Sequence, residues 1–259
     1  MSLSSTHLLA EEPSRAEFAE IRDRIDRRLS QLLPEVANGE SLAQAMRTSV
    51  LSSGKRVRPT LLILAGQGLG SESPALLDLG CAVEMVHTAS LILDDMPCMD
   101  NASLRRGQPT THRQFGEDVA MLAAVALLSR AFGLIATIEA LPPDQRTQLV
   151  VRLSECVGMQ GLAKGQYLDL HEGVQPRSVD AVMASNDLKT GVLFETAIAM
   201  AAIVAAAPGP VAEGPLGAEE AQRRLAEHLW KTERCLTEVY GNERLINLYV
   251  QKLFARLRP

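Results

Sequence analysis

The residues best suited to chemistry lie between positions 87 and 107, where three aspartates follow the apolar run LIL: Asp94, Asp95 and Asp100. Carboxylate oxygens are hard ligands, and Mg²⁺ binds proteins through one or two carboxylates together with waters and phosphate oxygens. Acidic pairs are also common on solvated helix ends, which is the alternative interpretation. Acids at the C-terminal end of a helix oppose its macrodipole, however, so this position favours a bound cation.

Basic side chains suited to phosphate oxygens lie on both sides of these aspartates in the sequence: Lys55, Arg58, Arg105 and Arg106. Guanidinium groups and ammonium charges are good donors to phosphate. Each of them alone is typical of a solvated surface. Together, the pattern GKRVRP upstream and DDxxxxDxxxLRRG downstream is hard to obtain by chance. It predicts two anionic groups, one bound through a metal ion and one bound by arginine and lysine.

The local geometry supports a shared site for the aspartates. His87 and Asp94 are seven residues apart, about two helical turns, and so share one helix face. On an ideal helix, Asp100 would lie about 120° away from Asp94. The ring of Pro97 breaks the helix, which lets Asp100 fold back toward the other acids. We therefore expect a distorted helix end, although a histidine on an apolar helix is ordinarily a core residue.

The elements that must position these residues are predicted to be helices, because Ala and Leu are abundant, aromatics are only 3%, and no segment shows convincing strand alternation. The predicted helices 117–138 and 178–206 are almost uniformly apolar and are expected at the centre of a bundle. The segment 208–217 is rich in Pro and Gly and is predicted to be a linker or loop. The remaining predicted helices are 16–33, 42–51, 61–69, 74–93, 143–165, 218–240 and 243–257.

Composition narrows the class of protein. A net charge of -5 argues against a general nucleic-acid binder. The four cysteines lack CxxC spacing and the N-terminus lacks the pattern of a signal peptide, so we expect a reduced, cytoplasmic protein. The most apolar run, 121–138, is interrupted by Arg130 and Gly133. It is therefore expected to be a buried helix, and no transmembrane segment is predicted.

Four segments resemble the trans-isoprenyl diphosphate synthases (polyprenyl synthetases), most closely the bacterial geranylgeranyl diphosphate synthases of carotenoid pathways. They are GKRVRP at 54–59, EMVHTASLILDDMPCMDNASLRRGQPTTH at 84–112, GMQGLAKGQYLDL at 158–170 and KTGVLFETA at 189–197. The segments cover most of the first 200 residues in family order. The resemblance implies one all-α domain over residues 1–259, a helical bundle around a central cavity, which works as a homodimer.

The resemblance also implies a division of roles. More than one Mg²⁺ per active site would hold the allylic diphosphate through Asp94, Asp95 and Asp100, with help from Arg105, Lys189 and Thr190. Isopentenyl diphosphate would be bound by Lys55, Arg58, His87 and Arg106. Gln166 is a further substrate-binding candidate, and Asp169 is a weaker metal candidate. Ionisation of the allylic diphosphate would give a carbocation that alkylates the homoallylic double bond, with the released diphosphate accepting the proton.

Product length is predicted from the residue five positions before the first aspartate, which in this family can form the floor of the cavity. Here it is Ala89, whose methyl group leaves room for a growing chain, and Ser90 follows it. This favours the C20 product, geranylgeranyl diphosphate. Farnesyl diphosphate synthase remains the alternative with the same chemistry, and a terpene cyclase would not need the basic residues for a second diphosphate.

The sequence departs from the family in one respect. A second aspartate-rich motif, typically GxxFQxxDDxxD, is not found, and some fifty or more residues are expected to be missing between about 205 and 216. Either the sequence joins two stretches across an omitted segment, or the protein lacks the segment. The first is favoured, because loss of one wall would expose apolar helix faces. The second would favour a non-catalytic partner subunit.

Overall fold

The structure is a computed structural model, which describes residues 15–37, 39–171 and 187–206. Nine α-helices, one π-helix and one two-stranded hairpin occur in these ranges. The helices before the hairpin are α1 (Arg15–Leu32), α2 (Ser41–Val50), α3 (Val57–Gly68) and α4 (Ala75–Asp94). After the hairpin follow α5 (Thr111–Phe115), α6 (Glu117–Ala136), α7 (Pro143–Val157), α8 (Leu162–His171), the π-helix (Asp187–Gly191) and α9 (Val192–Ala205).

Helix α4 is the centre of the bundle and contacts α1, α2, α3, α6 and α9. Its side chains are buried on nearly every side, which explains its apolar composition. In α1, by contrast, only one stripe is buried, through Ile21, Ile25 and Leu29, as the spacing of three and four residues predicts. A Cβ at Gly80 of α4 would lie 3.1 Å from the Pro59 side chain, so α3 approaches α4 closely there. This contact brings the basic segment beside His87.

Two predictions about local structure were wrong. The predicted helix 143–165 is two helices, because Gly158 is extended and ends α7. A hairpin also forms where no strand was expected: β1 (Leu104–Arg105) pairs antiparallel with β2 (Gln108–Pro109). Arg106 and Gly107 between them both have positive φ, 52° and 78°, as a tight two-residue hairpin turn requires. Each strand has only two residues, which is too few for an alternating pattern of apolar and polar residues to predict it.

Helix α6 is also less central than its composition suggested. It packs against α4 with one face and exposes Met121, Leu122 and Val125 on the other. By length and composition alone, α4 and α6 are both apolar enough to cross a bilayer. The most apolar stretch of α4 is 67% buried in the bundle and that of α6 is 39% buried. The absence of a transmembrane segment therefore remains a prediction.

Several predictions concern residues that the structure does not describe. They are the start of the helix predicted at 178–206, the loop 208–217, the helices 218–240 and 243–257, and the omitted segment between about 205 and 216. The described part of the first of these, 187–206, is helical, with one π turn followed by α9. The others remain predictions.

Arg56 connects three helices from a left-handed backbone conformation, with φ of 48°. Its side chain is buried and forms ion pairs with Asp26 (2.7 Å) and Glu84 (2.8 Å). The same guanidinium donates to the carbonyl oxygens of Val50 (2.8 Å) and Ser52 (3.1 Å). The side chain of Arg56 therefore connects α1, α2 and α4 inside the fold.

Replacing Arg56 by methionine is expected to lower the free energy of unfolding by about 3 kcal/mol, because the buried carboxylate of Glu84 loses its partner. Urea denaturation followed by circular dichroism measures this. Arg22→Met is the matched control, since Arg22 is exposed on α1 and its loss is expected to change stability by less than about 0.5 kcal/mol. Equal stabilities for the two variants would contradict the structural role of Arg56.

Candidate active site

The aspartate segment folds back on itself where α4 ends. Asp94 is the last residue of α4, and the backbone N–H of Asp100 donates to its carbonyl oxygen at 2.9 Å. The N–H of Asn101 donates to the carbonyl of Met96 at 3.0 Å, and Asn101 adopts a positive φ of 48°. The turn predicted from Pro97 is thus present, and it places the charge of Asp100 close to Asp94.

Lys189 lies between two carboxylates of this site. Its Nζ is 3.4 Å from Asp94 Oδ1 and 2.8 Å from Asp169 Oδ2. Burial raises the pKa of Asp94, and the charge of Asp100 raises it further, while Lys189 opposes both effects. Burial alone would lower the pKa of Lys189, but the hydrogen bond to Asp169 and the charge of Asp94 raise it above its ordinary value. Lys189 is therefore an ammonium ion at neutral pH.

The position of Lys189 depends on close backbone packing. It lies in the π-helix Asp187–Gly191, which contacts α8. A Cβ at Gly165 of α8 would lie 2.7 Å from the backbone nitrogen of Lys189, so only glycine allows this approach. Single π-helical turns are frequent at functional sites. Thr190 is the next residue of the same turn, and its predicted catalytic role remains a prediction.

Asp95 points to a different partner from Asp94. It is 3% exposed and accepts two hydrogen bonds from Arg105, at 2.8 Å from Nε and 2.7 Å from Nη2. This bidentate contact raises the pKa of Arg105. The structure therefore shows Asp95 holding Arg105 in place. The predicted roles of Asp95 as a metal ligand and of Arg105 as a diphosphate ligand remain predictions.

The carboxylates of this site have the chemistry that Mg²⁺ prefers. Within the described ranges, no three side chains of His, Cys, Asp or Glu are grouped so that they could hold a metal ion as they stand. The chemistry fits nonetheless, because Mg²⁺ needs only one or two carboxylates when water and phosphate supply the rest. Asp94 and Asp100 provide two neighbouring carboxylates. The ammonium of Lys189 beside Asp94 shows that a positive charge is stabilised at this position.

A basic cleft of about 490 Å³ is lined in part by His87. It contains all four residues predicted to bind isopentenyl diphosphate: Lys55, Arg58, His87 and Arg106. Arg106 comes from the hairpin turn, is exposed, and donates to the carbonyl oxygen of Ser53 at 3.0 Å. Three separate elements thus bring these residues together, namely the segment before α3 with its first turn, α4, and the hairpin.

His87 is neutral in this cleft. Burial lowers the pKa of His87 well below its ordinary value, and the charges of Arg58 and Arg106 lower it further. Its Nε2 lies 3.2 Å from Arg58 Nη1. Arginine can only donate, so Nε2 is the acceptor and the proton is on Nδ1. His87 therefore adds no positive charge to the cleft, and it accepts a hydrogen bond from Arg58. Its predicted role in binding isopentenyl diphosphate remains a prediction.

The contacts of Gln166 and Ala89 do not test the roles that were predicted for them. Gln166 of α8 faces the aspartate turn, where its Nε2 lies 3.9 Å from the sulfur of Met99. Ala89 is completely buried in the core and does not line the basic cleft. Ser90, by contrast, is partly exposed on the face of α4 that carries His87 and Asp94, and its hydroxyl donates to the carbonyl of His87 at 2.8 Å. The role of Ala89 in product length remains a prediction.

Sequence reasoning overlooked two residues of the site. Phe194 of α9 lies under the guanidinium of Arg58, with 4.4 Å between Cζ and the ring centroid. Gly165 allows the approach of the π-helix described above. Both are within the segments quoted for the family resemblance, but an apolar residue in an apolar helix and a glycine between polar residues carry no chemical signal of their own.

The chain is similar in sequence to known prenyl diphosphate synthases. A model of the polyprenyl synthetase family matches residues 39–215. A geranylgeranyl diphosphate synthase of Pseudescherichia vulneris is 53% identical over 192 residues, which are 73% of this chain and 62% of that protein. One of Pantoea ananas is 55% identical over 183 residues, 70% of this chain and 61% of that protein. The chain therefore spans about three-fifths of the length of these curated relatives.

The fold is similar to that of solved prenyl diphosphate synthase structures. The structure of an FPP/GFPP synthase from Zymomonas mobilis superposes with a TM-score of 0.71 at 27% identity, covering 94% of this chain and 97% of that one. A geranyltransferase from Legionella pneumophila gives 0.70 at 26% identity, with coverages of 92% and 96%. The predicted all-α isoprenoid-synthase bundle is confirmed, and the chain belongs to the polyprenyl synthetase family.

Proposed function

We propose that this chain is a Mg²⁺-dependent prenyltransferase that condenses isopentenyl diphosphate with an allylic diphosphate and forms geranylgeranyl diphosphate. The observation that carries this proposal is the pairing of two sites of opposite character along α4. Carboxylates and Lys189 lie at its C-terminal end, and the basic cleft lies about two turns earlier at His87. The two similar proteins of Pseudescherichia vulneris and Pantoea ananas, both named geranylgeranyl diphosphate synthases, support the C20 product.

The two sites divide the chemistry between two diphosphates. When bound, Mg²⁺ would supply positive charge to the leaving diphosphate, and Asp94 and Asp100 would hold it. Lys189 would donate to the same diphosphate, which gains charge as its carbon–oxygen bond breaks. In the cleft, Arg58 and Arg106 would hold isopentenyl diphosphate so that its double bond attacks the allylic carbon. The proton lost from the new product would go to the released diphosphate.

Product analysis tests this proposal. The purified chain is incubated with Mg²⁺, isopentenyl diphosphate and, separately, dimethylallyl, geranyl or farnesyl diphosphate, and the dephosphorylated products are separated by chain length. We expect a C20 product from all three primers. A C15 end product would instead identify a farnesyl diphosphate synthase. Consumption of the primer without isopentenyl diphosphate would indicate a terpene cyclase, and no consumption by the folded chain would indicate a non-catalytic partner subunit.

The proposal includes a homodimer that is formed through α6. Met121, Leu122 and Val125 are 50%, 56% and 57% exposed on one face of this helix, while Ala123, Ala124 and Leu127 on the other face are fully buried. Large apolar side chains that are grouped on a surface mark an interaction site. A second copy can cover such a stripe with the same stripe, as a two-fold symmetric dimer requires.

Val125→Glu is expected to convert the dimer to a monomer, because two added carboxylates would be buried close to each other at the two-fold interface. Light scattering after gel filtration measures the mass. The control is Ala19→Glu, which adds the same charge at an exposed position of α1. A monomeric wild-type chain, or a Val125→Glu variant that remains dimeric, would contradict this assembly.

A reducing compartment such as the cytoplasm is also part of the proposal. Cys81, Cys98 and Cys156 are free thiols, and the first and third are buried. Burial raises the pKa of both buried thiols, so they are protonated and unreactive at neutral pH. Cell fractionation of the source organism tests this location.

A further inference from the structure

Arg58 is held between two uncharged side chains. On one side, its Nη1 donates to Nε2 of the neutral His87 at 3.2 Å. On the other side, its Cζ lies 4.4 Å from the ring centroid of Phe194. That distance is well within the range of a cation–π interaction, in which the negative ring face attracts the cation. Phe194 itself is 6% exposed, so water does not compete for the ring.

We propose that Phe194 is a positioning residue for isopentenyl diphosphate, because it fixes the plane of the Arg58 guanidinium in the basic cleft. This inference rests on the proposed function of Arg58. The hydrogen bond from Nη1 to His87 fixes the position of one atom of the guanidinium. The ring face of Phe194 beneath Cζ restricts how the group can tilt and rotate about that atom. Both contacts therefore restrict the direction of the other N–H groups, which is the property that matters for binding two phosphate oxygens at once.

The position of Phe194 in the chain gives this contact a second consequence. Lys189, which contacts Asp94, lies five residues earlier in the π-helix that continues directly into α9. One continuous helix therefore contacts the acid site with Lys189 and the basic cleft with Phe194. Helix α9 also packs against α3, which carries Arg58, and against α4, which carries Asp94. The geometry of the two diphosphate sites is thereby set by a common backbone.

Phe194→Leu tests the inference, since leucine preserves an apolar core residue and removes the ring face. We expect the KM for isopentenyl diphosphate to rise about five-fold, as loss of a desolvated cation–π contact predicts. The KM for the allylic diphosphate and kcat should stay within about two-fold. Phe194→Tyr retains the ring and should restore the KM for isopentenyl diphosphate.

A packing control separates this role from simple core packing. Ile198 lies one turn further on the same face of α9 and is equally buried at 6% exposure, so Ile198→Val removes core volume but no aromatic ring. It should leave both KM values unchanged. Equal rises in the two KM values for Phe194→Leu, or the same change in Ile198→Val, would overturn the inference.

A double-mutant comparison distinguishes failure of this inference from failure of the proposed function. If Phe194 acts through Arg58, adding Phe194→Leu to Arg58→Gln should raise the KM for isopentenyl diphosphate no further. A further five-fold rise in that background would show that Phe194 acts by another route. If Arg58→Gln alone leaves this KM unchanged, the assignment of Arg58 in the proposed function is wrong, and the inference fails with it. The comparison also decides the matter if the tyrosine variant does not fold.

Discussion

Replacing Asp94 by asparagine is expected to lower kcat by about a thousand-fold, because an amide cannot replace the charged oxygen that would hold Mg²⁺ against the leaving diphosphate. Asparagine has nearly the same shape, so packing at the end of α4 is preserved. Burial raises the pKa of Asp94, which means that ionising this carboxyl opposes folding at neutral pH. The variant should therefore be at least as stable as the wild type. Steady-state kinetics and urea denaturation measure the two effects.

The control for this variant is Asp144→Asn, in the first turn of α7, where the carboxylate is exposed and belongs to neither of the two proposed sites. Its activity should match that of the wild type. A kcat for Asp94→Asn within ten-fold of the wild type would contradict the assignment of Asp94. A large loss of stability would contradict the expectation that ionised Asp94 opposes folding.

Replacing Arg58 by glutamine is expected to raise the KM for isopentenyl diphosphate by about thirty-fold, corresponding to about 2 kcal/mol for a charged hydrogen bond to phosphate. The KM for the allylic diphosphate should stay nearly constant. Arg58 lines the basic cleft with His87, and Asp94 lies about two turns beyond His87 along α4. Initial rates with each substrate varied in turn give both constants.

Lys55→Gln and Arg24→Gln provide a graded comparison for Arg58→Gln. Lys55 lines the same cleft but is exposed, so its loss should raise the same KM only a few-fold. Arg24 is exposed on α1, and its replacement should have no effect. If Arg58→Gln raises both KM values equally, the division into two sites is incorrect.

The parts of the site that could be predicted from the sequence depend on local chemistry. Pro97 cannot continue a helix, so the return of Asp100 toward Asp94 follows from sterics alone. The alignment of His87 with Asp94 follows from the helical repeat. The spacing of apolar residues along one face predicts α1 without any tertiary information, whereas α6 and α9 are predicted from long, almost uniformly apolar runs.

The contacts that could not be predicted depend on how distant elements pack. Adjacent aspartates on a helix point about 100° apart, and in this structure Asp94 contacts Lys189 while Asp95 contacts Arg105. Which of the two contacts Arg105 depends on the position of the hairpin. The sequence motif alone does not distinguish the two aspartates. The same holds for Arg56 and Arg58, which are two residues apart. Both line the basic cleft, but Arg56 is buried in ion pairs with Asp26 and Glu84, whereas Arg58 contacts His87 and Phe194.

The most direct test of the two-site account is calorimetric binding to the wild type and to Asp94→Asn. Isopentenyl diphosphate is titrated without Mg²⁺, and geranyl diphosphate is titrated with Mg²⁺ in the absence of the second substrate. We predict that isopentenyl diphosphate binds both proteins with the same Kd, and that Asp94→Asn loses most of the Mg²⁺-dependent affinity for geranyl diphosphate. Loss of isopentenyl diphosphate binding in folded Asp94→Asn, or unchanged binding of geranyl diphosphate, would contradict the account.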